Sequence, residues 1–364
     1  MKKTLIALAA LAATASFAQS TATISGNLDF ASVNVGGTQA ASKGSTITTG
    51  FGTATTSVLR FIAVEDLGGG MKATAQYNFD PRTLANDGIG NTLNSATAPT
   101  ANTTTGLSRD ELFVGLSGGF GNIRLGSPNS IGLNAWQPSS PLGTGIGSGY
   151  TGAGRSGTMT NSFVQTRYSR SVRYDSPVMG GFQVAVLYAA GNDQPAAGTT
   201  AQQIPNGRQA TEIGLRYAAG PLTLAYANVA QGAQTNATGW YSSATLVNAA
   251  KTSANVFSAS YTMGATTLHA GMNDGNRLAA GTGGVAVDSK GSNIGITHNI
   301  GAIGLMANMR SQKVGTVESK VSGLRADYNF SKTTAAYVGY EKYDNGAATA
   351  NETTAASIGL RKSF

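Results

Sequence analysis

Arg60, Lys72, Arg82, Arg124, Arg173, Arg216, Arg310 and Arg325 each fall on the polar parity of a segment whose other parity is apolar. Asp29, Asp80, Glu212 and Asp327 share that polar parity. Side chains at i and i+2 of an extended chain point the same way, so these groups gather on one face of whatever sheet the segments build. A ring of positive side chains around water favours anions. A single charge about 5 Å from an ion in water is worth only ~0.8 kcal/mol, and at physiological salt the Debye length is ~8 Å. Several arginines must therefore act together, and salt erodes their effect. The stretch from Pro128 to Tyr174 sharpens the bias, because it holds Arg155, Arg167, Arg170 and Arg173 and no Asp or Glu. Arg60, Arg124, Arg155 and Arg173 are the residues expected at a basic constriction. Asp80, Glu111 and Glu212 are expected as acidic lining groups that balance the charge or anchor a loop.

Other chemistries find few residues to use. The chain has no Cys, which excludes disulfides and thiolate metal sites. Its only histidines are His269, on the polar parity of its segment, and His298, on the other. Neither sits in a Ser-His-Asp or His-Glu-x-x-His setting, so no catalytic residue, metal ligand set or cofactor is expected. Gly147-Ser-Gly-Tyr-Thr-Gly152 spells G-x-G-x-x-G, but a dinucleotide fingerprint needs a strand before it and a helix after it. A flexible inward loop accounts better for these glycines. Lys and Arg number 25 against 17 Asp and Glu. They are scattered singly, without runs or interleaved aromatics, so nucleic acid is not an expected partner.

The elements that must position these residues are strands. Met1-Lys2-Lys3, the apolar run from Leu5 to Ala13 and the small-residue pattern Ser16-Phe17-Ala18 make a secretory signal over 1–18, leaving 19–364 as the mature chain. The run is too short for a membrane anchor, which needs ~20 apolar residues. Beyond it, alternation recurs along the chain: Ala22, Ile24, Leu28 and Phe30; Met71, Ala73, Ala75, Tyr77 and Phe79; Phe182, Val184, Val186 and Tyr188; Ile303, Leu305, Ala307 and Met309. Short connections near 66–70, 117–121, 176–181, 219–221, 263–265, 301–302 and 331–332 interleave with longer ones. The longer ones lie near 36–54, 83–106, 128–165, 191–208, 231–251, 274–290, 313–318 and 345–353. Seven short and eight long connections imply sixteen strands, and an even-numbered antiparallel barrel has this rhythm. One face then meets lipid and the other water, and closure removes the sheet edges. Tyr174, Tyr188, Tyr217, Phe257, Tyr261, Tyr328, Phe330 and Phe364 fall on the apolar parity, as interfacial aromatic girdles require.

Several segments carry a family resemblance. Ala356 to Phe364 is an alternating strand that ends flush on an aromatic residue, similar to the closing signature of bacterial outer-membrane barrels. "VLRFIAVEDLGGGMKATAQYNF" (58–79), "SRDELFVGLSGGFGNIRLGS" (108–127), "SVRYDSPVMGGFQVAVLYAAG" (171–191) and the final "IGLRKSF" resemble, in order, segments of the general porins of β-proteobacteria. The resemblance implies a 16-stranded antiparallel transmembrane β-barrel whose third outer loop folds inward. It also implies a homotrimer set among outer-membrane lipid and lipopolysaccharide, with passive diffusion of ions and small hydrophilic solutes as the activity. The basic residues add a moderate preference for small anionic solutes. A substrate-specific channel for phosphate or small carboxylates, using an Arg ladder with Trp136 or Tyr150, is the alternative, as is a surface adhesin acting through the long loops. Two departures stand out. Leu125-Gly126-Ser127 occupies the place where the family's fifth strand usually ends Leu-Gly-Arg, and Arg361-Lys362 replaces the usual Arg-His. The second is readily accommodated, since Lys can snorkel at an interface.

Overall fold

The computed structural model describes residues 20–38, 43–50, 52–80, 110–150, 166–191, 208–238, 245–278, 285–346 and 352–364. The expected leader, 1–18, lies outside them. The described chain is almost wholly β. Its first strands are β1 (Thr21–Gly37), β2 (Gly44–Thr48), β3 (Val58–Gly68), β4 (Met71–Phe79), β5 (Leu112–Gly118) and β6 (Gly121–Ser127). Then come β7 (Ser171–Asp175), β8 (Phe182–Ala189), β9 (Ala210–Ala219), β10 (Leu222–Gln231), β11 (Gln234–Thr238) and β12 (Thr245–Ala249). The last are β13 (Thr252–Met263), β14 (Thr266–Leu278), β15 (Ala286–Ile300), β16 (Ile303–Val314), β17 (Val317–Ser331), β18 (Thr334–Asp344) and β19 (Glu352–Ser363).

Sixteen of these strands close a barrel, each antiparallel to its neighbours. The seam joins β1 to β19, from Asn27 opposite Ser363 to Gly37 opposite Thr353. At its lower end Gly26 N–H donates to Phe364 O (2.9 Å) and Phe364 N–H donates to Gly26 O (3.0 Å). The remaining three strands are additions on the long-loop side. β2 pairs with Ala31–Val35 of β1, above the point where Thr21–Asn27 pair with β3. β11 and β12 form a separate hairpin.

Burial follows the alternation, with the apolar side chains outward. On β8, Val184, Val186 and Tyr188 are exposed while Ala185, Leu187 and Ala189 are buried inside. Mid-strand Ile294 and its partner Met309 are 61% and 60% exposed. A continuous apolar belt of this kind would be costly in water, at about 25 cal/mol per Å², and is matched by lipid. No helix among the described residues is long and apolar enough to cross a membrane; the crossing is made by strands. The expected girdle aromatics lie outward, with Tyr217 against Phe182 (4.6 Å between ring centroids) and Tyr328 against Phe330 (5.1 Å).

Several long connections differ from expectation: 36–54 contains β2, 231–251 contains β11 and β12, and β14 and β15 extend into 274–290, to Leu278 and from Ala286. The 313–318 loop is a two-residue turn in which Val314 pairs with Val317. Gly315 takes a left-handed φ of 57°, which a tight turn favours. The strands here run past the lipid belt, where the outer face meets water in place of lipid. The outward Ser311 and Lys313 are therefore polar, as is the inward Gln312, which is buried against Asn273 and Ser289, and the alternation that marks a strand disappears.

The third long loop turns into the barrel, as the family resemblance implies. It also contains a short helix that periodicity could not reveal, α1 (Ile131–Trp136), followed by a 3-10 turn over Gln137–Ser139. Ser130 caps α1 by accepting from Leu133 N–H (2.9 Å). Ile131, Leu133, Ala135 and Trp136 then bury against Leu187, Ala225, Ala227 and Val256 of the wall. Inward-facing glycines on five strands trace the loop's path. Gly214 lies under Ile131, Gly271 under Ser139, Gly295 under Pro141, Gly339 under Ile146 and Gly323 under Gly147. A Cβ at any of these positions would overlap the loop.

If the outer face meets lipid, Ile294→Arg should lower folding stability in lipid vesicles by about 2–4 kcal/mol. Thr223→Arg, on the inner parity, should change it by less than about 0.5 kcal/mol. Urea titration of vesicle-inserted protein measures both.

Candidate pore and its inner wall

The loop is held by polar side chains that project inward from successive strands. Glu212 on β9 is fully buried and accepts from the N–H groups of Ile131 (2.6 Å) and Gly132 (3.0 Å). These are amides of the first helical turn, which have no partner within the helix. Ser258 on β13 donates to Ala135 O, and Asn293 on β15 donates to Ser139 O. Asn308 on β16 donates to Gly147 O (3.1 Å), while Glu341 on β18 accepts from Gly147 N–H (2.8 Å). His269 on β14 meets Pro138 O through Nδ1 (2.8 Å). A carbonyl only accepts, so Nδ1 carries the proton, and in the neutral ring Nε2 accepts from the Thr297 hydroxyl (3.2 Å). Arg310 stacks over the Trp136 ring at 5.0 Å, and Trp136 packs against Tyr150 at 5.5 Å.

Two of the expected acidic residues, Glu111 and Glu212, take anchoring places. Glu111, just before β5, accepts from Asn129 N–H (2.9 Å) at the start of the loop and from Gln76 Nε2 (3.2 Å). Glu212 grips α1 as described. Asp80 is buried immediately after β4. Where the chain returns from the loop, Gln231 donates to the buried Tyr168 hydroxyl (3.2 Å). Burial, followed by the charge of Glu212, pushes that phenol well above its ordinary range, so it stays neutral.

The basic residues divide between fastening and lining. Arg173 on β7 is 6% exposed and donates through Nη1 to Asn129 O (2.6 Å) and Asn134 Oδ1 (2.5 Å), tying the first part of the loop to the wall. Directly across the β6–β7 pair lies Arg124. Like charges in that position repel, and Asp175 resolves the conflict by pairing with both guanidiniums. Asp175 is absent from the acids expected on the lumen side, although its parity two residues beyond Arg173 marks it. Arg124 also lies 5.6 Å from the centroid of the Phe113 ring. Arg60 on β3 is half-buried between Ser25 and Asn78, with no hydrogen-bond or ion-pair partner among the described residues. Lys72 and Arg216 are exposed near the short-turn end. Arg155 and Arg82 lie outside the described residues.

The inner wall is therefore partitioned. The loop packs over β8–β10 and β13–β18. The inner faces of β3, β4 and β6 carry Arg60, Lys72 and Arg124. The described residues hold no cluster of three or more His, Cys, Asp or Glu that could ligate a metal. The arrangement suits the passage of small solutes through water bordered by charged side chains. Glu212→Ala should free the first turn of α1. A charge-assisted hydrogen bond worth about 1.5–3 kcal/mol sets the expectation that the Ile131 and Gly132 amides exchange hydrogen about ten- to a hundredfold faster, read by mass spectrometry.

The family profile described as Gram-negative porin matches residues 4–348. The chain is 35% identical over 135 residues to the major outer membrane protein P.IB of Neisseria gonorrhoeae, covering 36% of this chain and 32% of that protein. It is 34% identical over 196 residues to outer membrane porin protein 32 of Delftia acidovorans, covering 52% and 50%. The matched stretches thus span about a third to a half of the length of these curated relatives. An anion-selective porin from Comamonas acidovorans superposes with a TM-score of 0.67 at 18% identity, covering 95% of this chain and 100% of that one. OmpT of Vibrio cholerae in its trimer form gives 0.64 at 14%, covering 95% and 99%. At such identities the structural likeness speaks for the barrel fold alone. With the profile matching nearly the whole length, the chain belongs to the Gram-negative porin family of outer-membrane β-barrels.

Proposed function

We propose that this barrel is an outer-membrane channel for passive diffusion of ions and small hydrophilic solutes, moderately selective for anions. In this reading residues 1–18 are removed on export, and the mature chain, 19–364, assembles as a homotrimer, for which the trimer form of the OmpT neighbour is the support. The observation that carries anion selectivity is an asymmetry of charge. The inward loop has no carboxylate between Pro128 and Tyr174, while the wall it leaves uncovered carries Arg60, which has no ion-pair partner among the described residues, together with Lys72 opposite Asp66 and Arg124 paired with Asp175. A cation would meet the unpaired guanidinium of Arg60 on the wall side and no acid on the loop side to offset it. Arg155, outside the described residues, would add to the basic side. A substrate-specific site built on Trp136 gains nothing from the geometry, because Trp136 is 2% exposed and packed against the wall.

Reversal potentials across a planar bilayer in a salt gradient test this. The sign should be that of a chloride-preferring pore at low salt, with the preference fading as salt rises and the Debye length falls towards ~3 Å. Arg60→Glu changes two charges, each worth ~0.8 kcal/mol before screening, and should lower the anion-to-cation permeability ratio about three- to tenfold. Cation preference in the unaltered protein would sink the proposal.

A further inference from the structure

A second segment also turns inward. Residues 52–57, between β2 and β3, are uncharged and small, and they sit against the far end of the inward loop. Ile146 N–H donates to Thr53 O (2.9 Å), and the Thr56 and Thr144 hydroxyls are 3.4 Å apart. Gly145 lies so close to Ala54 that a Cβ would strike its carbonyl. Val33, Ala54, Ile146 and Tyr337 form one buried apolar cluster around the contact.

Neither segment brings a charge to this meeting, so the wall imposes its position. Arg325 on β17 donates through a single nitrogen, Nη1, to Ala54 O (3.0 Å) and Leu142 O (3.4 Å), one carbonyl from each segment. Its Nε donates to Asp327 Oδ1 (2.8 Å), which fixes the plane of the guanidinium. Asp29 on β1, fully buried, takes the other side. Its Oδ2 accepts from Thr55 N–H (2.8 Å) and its Oδ1 from the Tyr337 hydroxyl (2.5 Å). Asn27 donates to Thr56 O (2.7 Å).

We propose that residues 52–57 form a second jaw of the constriction and that Arg325 is the positioning residue that clasps this jaw to the inward loop, so that the clasp sets the open cross-section of the pore. The proposal rests on the channel reading above. Arg325 is 8% exposed and paired with Asp327, so it acts through the two backbones it joins rather than on permeating ions.

Single-channel recording at about 1 M salt, where screening leaves conductance to report mainly geometry, provides the test. Arg325→Leu combined with Asp327→Asn avoids stranding a buried carboxylate. This variant is expected to conduct about twofold more than the unaltered protein, with noisier open current, because two pore-lining segments are released. Adding Thr56→Cys and Thr144→Cys to it supplies the only thiols in a chain without cysteine. Oxidation should restore the original conductance and reduction should remove the restoration, a reversal that a general loss of barrel stability would not give. Equal conductance in the unaltered protein, the released variant and both redox states would overturn the clasp. Should the released variant fail to insert, the same Cys pair in the unaltered background decides: ready disulfide formation with unchanged conductance supports the clasp, and failure to cross-link refutes it. Absence of any conductance in the unaltered protein would count against the channel reading instead.

Discussion

Every backbone N–H and C=O that crosses hydrocarbon must find its partner within the protein, since lipid offers none. In this chain β1 and β19 meet that demand along one seam, and Gly26 and Phe364 complete it with a reciprocal pair of hydrogen bonds. Until the seam closes, two strand edges are bare. Once it closes, each strand has a lipid face and an interior face, and every residue's polarity acquires a spatial meaning. The apolar belt, the outward aromatics and the inward charges all follow from closure.

Closure creates an interior too wide to be filled by its own side chains, and the chain fills part of it with its own loops. The devices are local. Glycines on β9, β14, β15, β17 and β18 allow backbone to approach backbone. Carboxylates on β9 and β18 take loop N–H groups, and amide and hydroxyl donors on β13, β15 and β16 take loop carbonyls. A buried polar group without a partner is costly, so the loop and the wall specify each other's position. Arg173 and Arg325 show the same logic with charge: each is paired with an aspartate two residues away on its own strand and uses a further donor on loop backbone. The wall of β3, β4 and β6 is left uncovered, with Arg60 half-buried and without an ion-pair partner among the described residues, Lys72 opposite Asp66 and Arg124 paired with Asp175.

Much of this was legible in the sequence because period-two alternation has a single physical cause, a wall between lipid and water. The sixteen barrel strands, the short turns, the outward aromatics and the inward parity of Arg60, Arg124, Arg173, Glu212 and His269 could all be read that way, whereas β2, β11 and β12 lie within expected loops. Parity says which face a residue occupies and nothing of what covers that face. Arg173 and Arg60 have the same signature, yet one is sealed beneath the loop and the other is only half-buried. The six-residue α1 is too short to establish a helical period. The β16–β17 turn lies beyond the lipid belt, where alternation has no cause, and the inward turn of 52–57 depends on partners nearly three hundred residues away in the chain, Arg325 and Tyr337.

The central claim is that the inner wall has a covered part and an open part. Single cysteines in this cysteine-free chain can report it directly, through the rate at which a small water-soluble methanethiosulfonate reagent modifies them in the open channel. The account predicts fast modification of Arg60→Cys, with a step in current, and strong protection of Asn308→Cys beneath the loop. Equal rates at the two positions would contradict it.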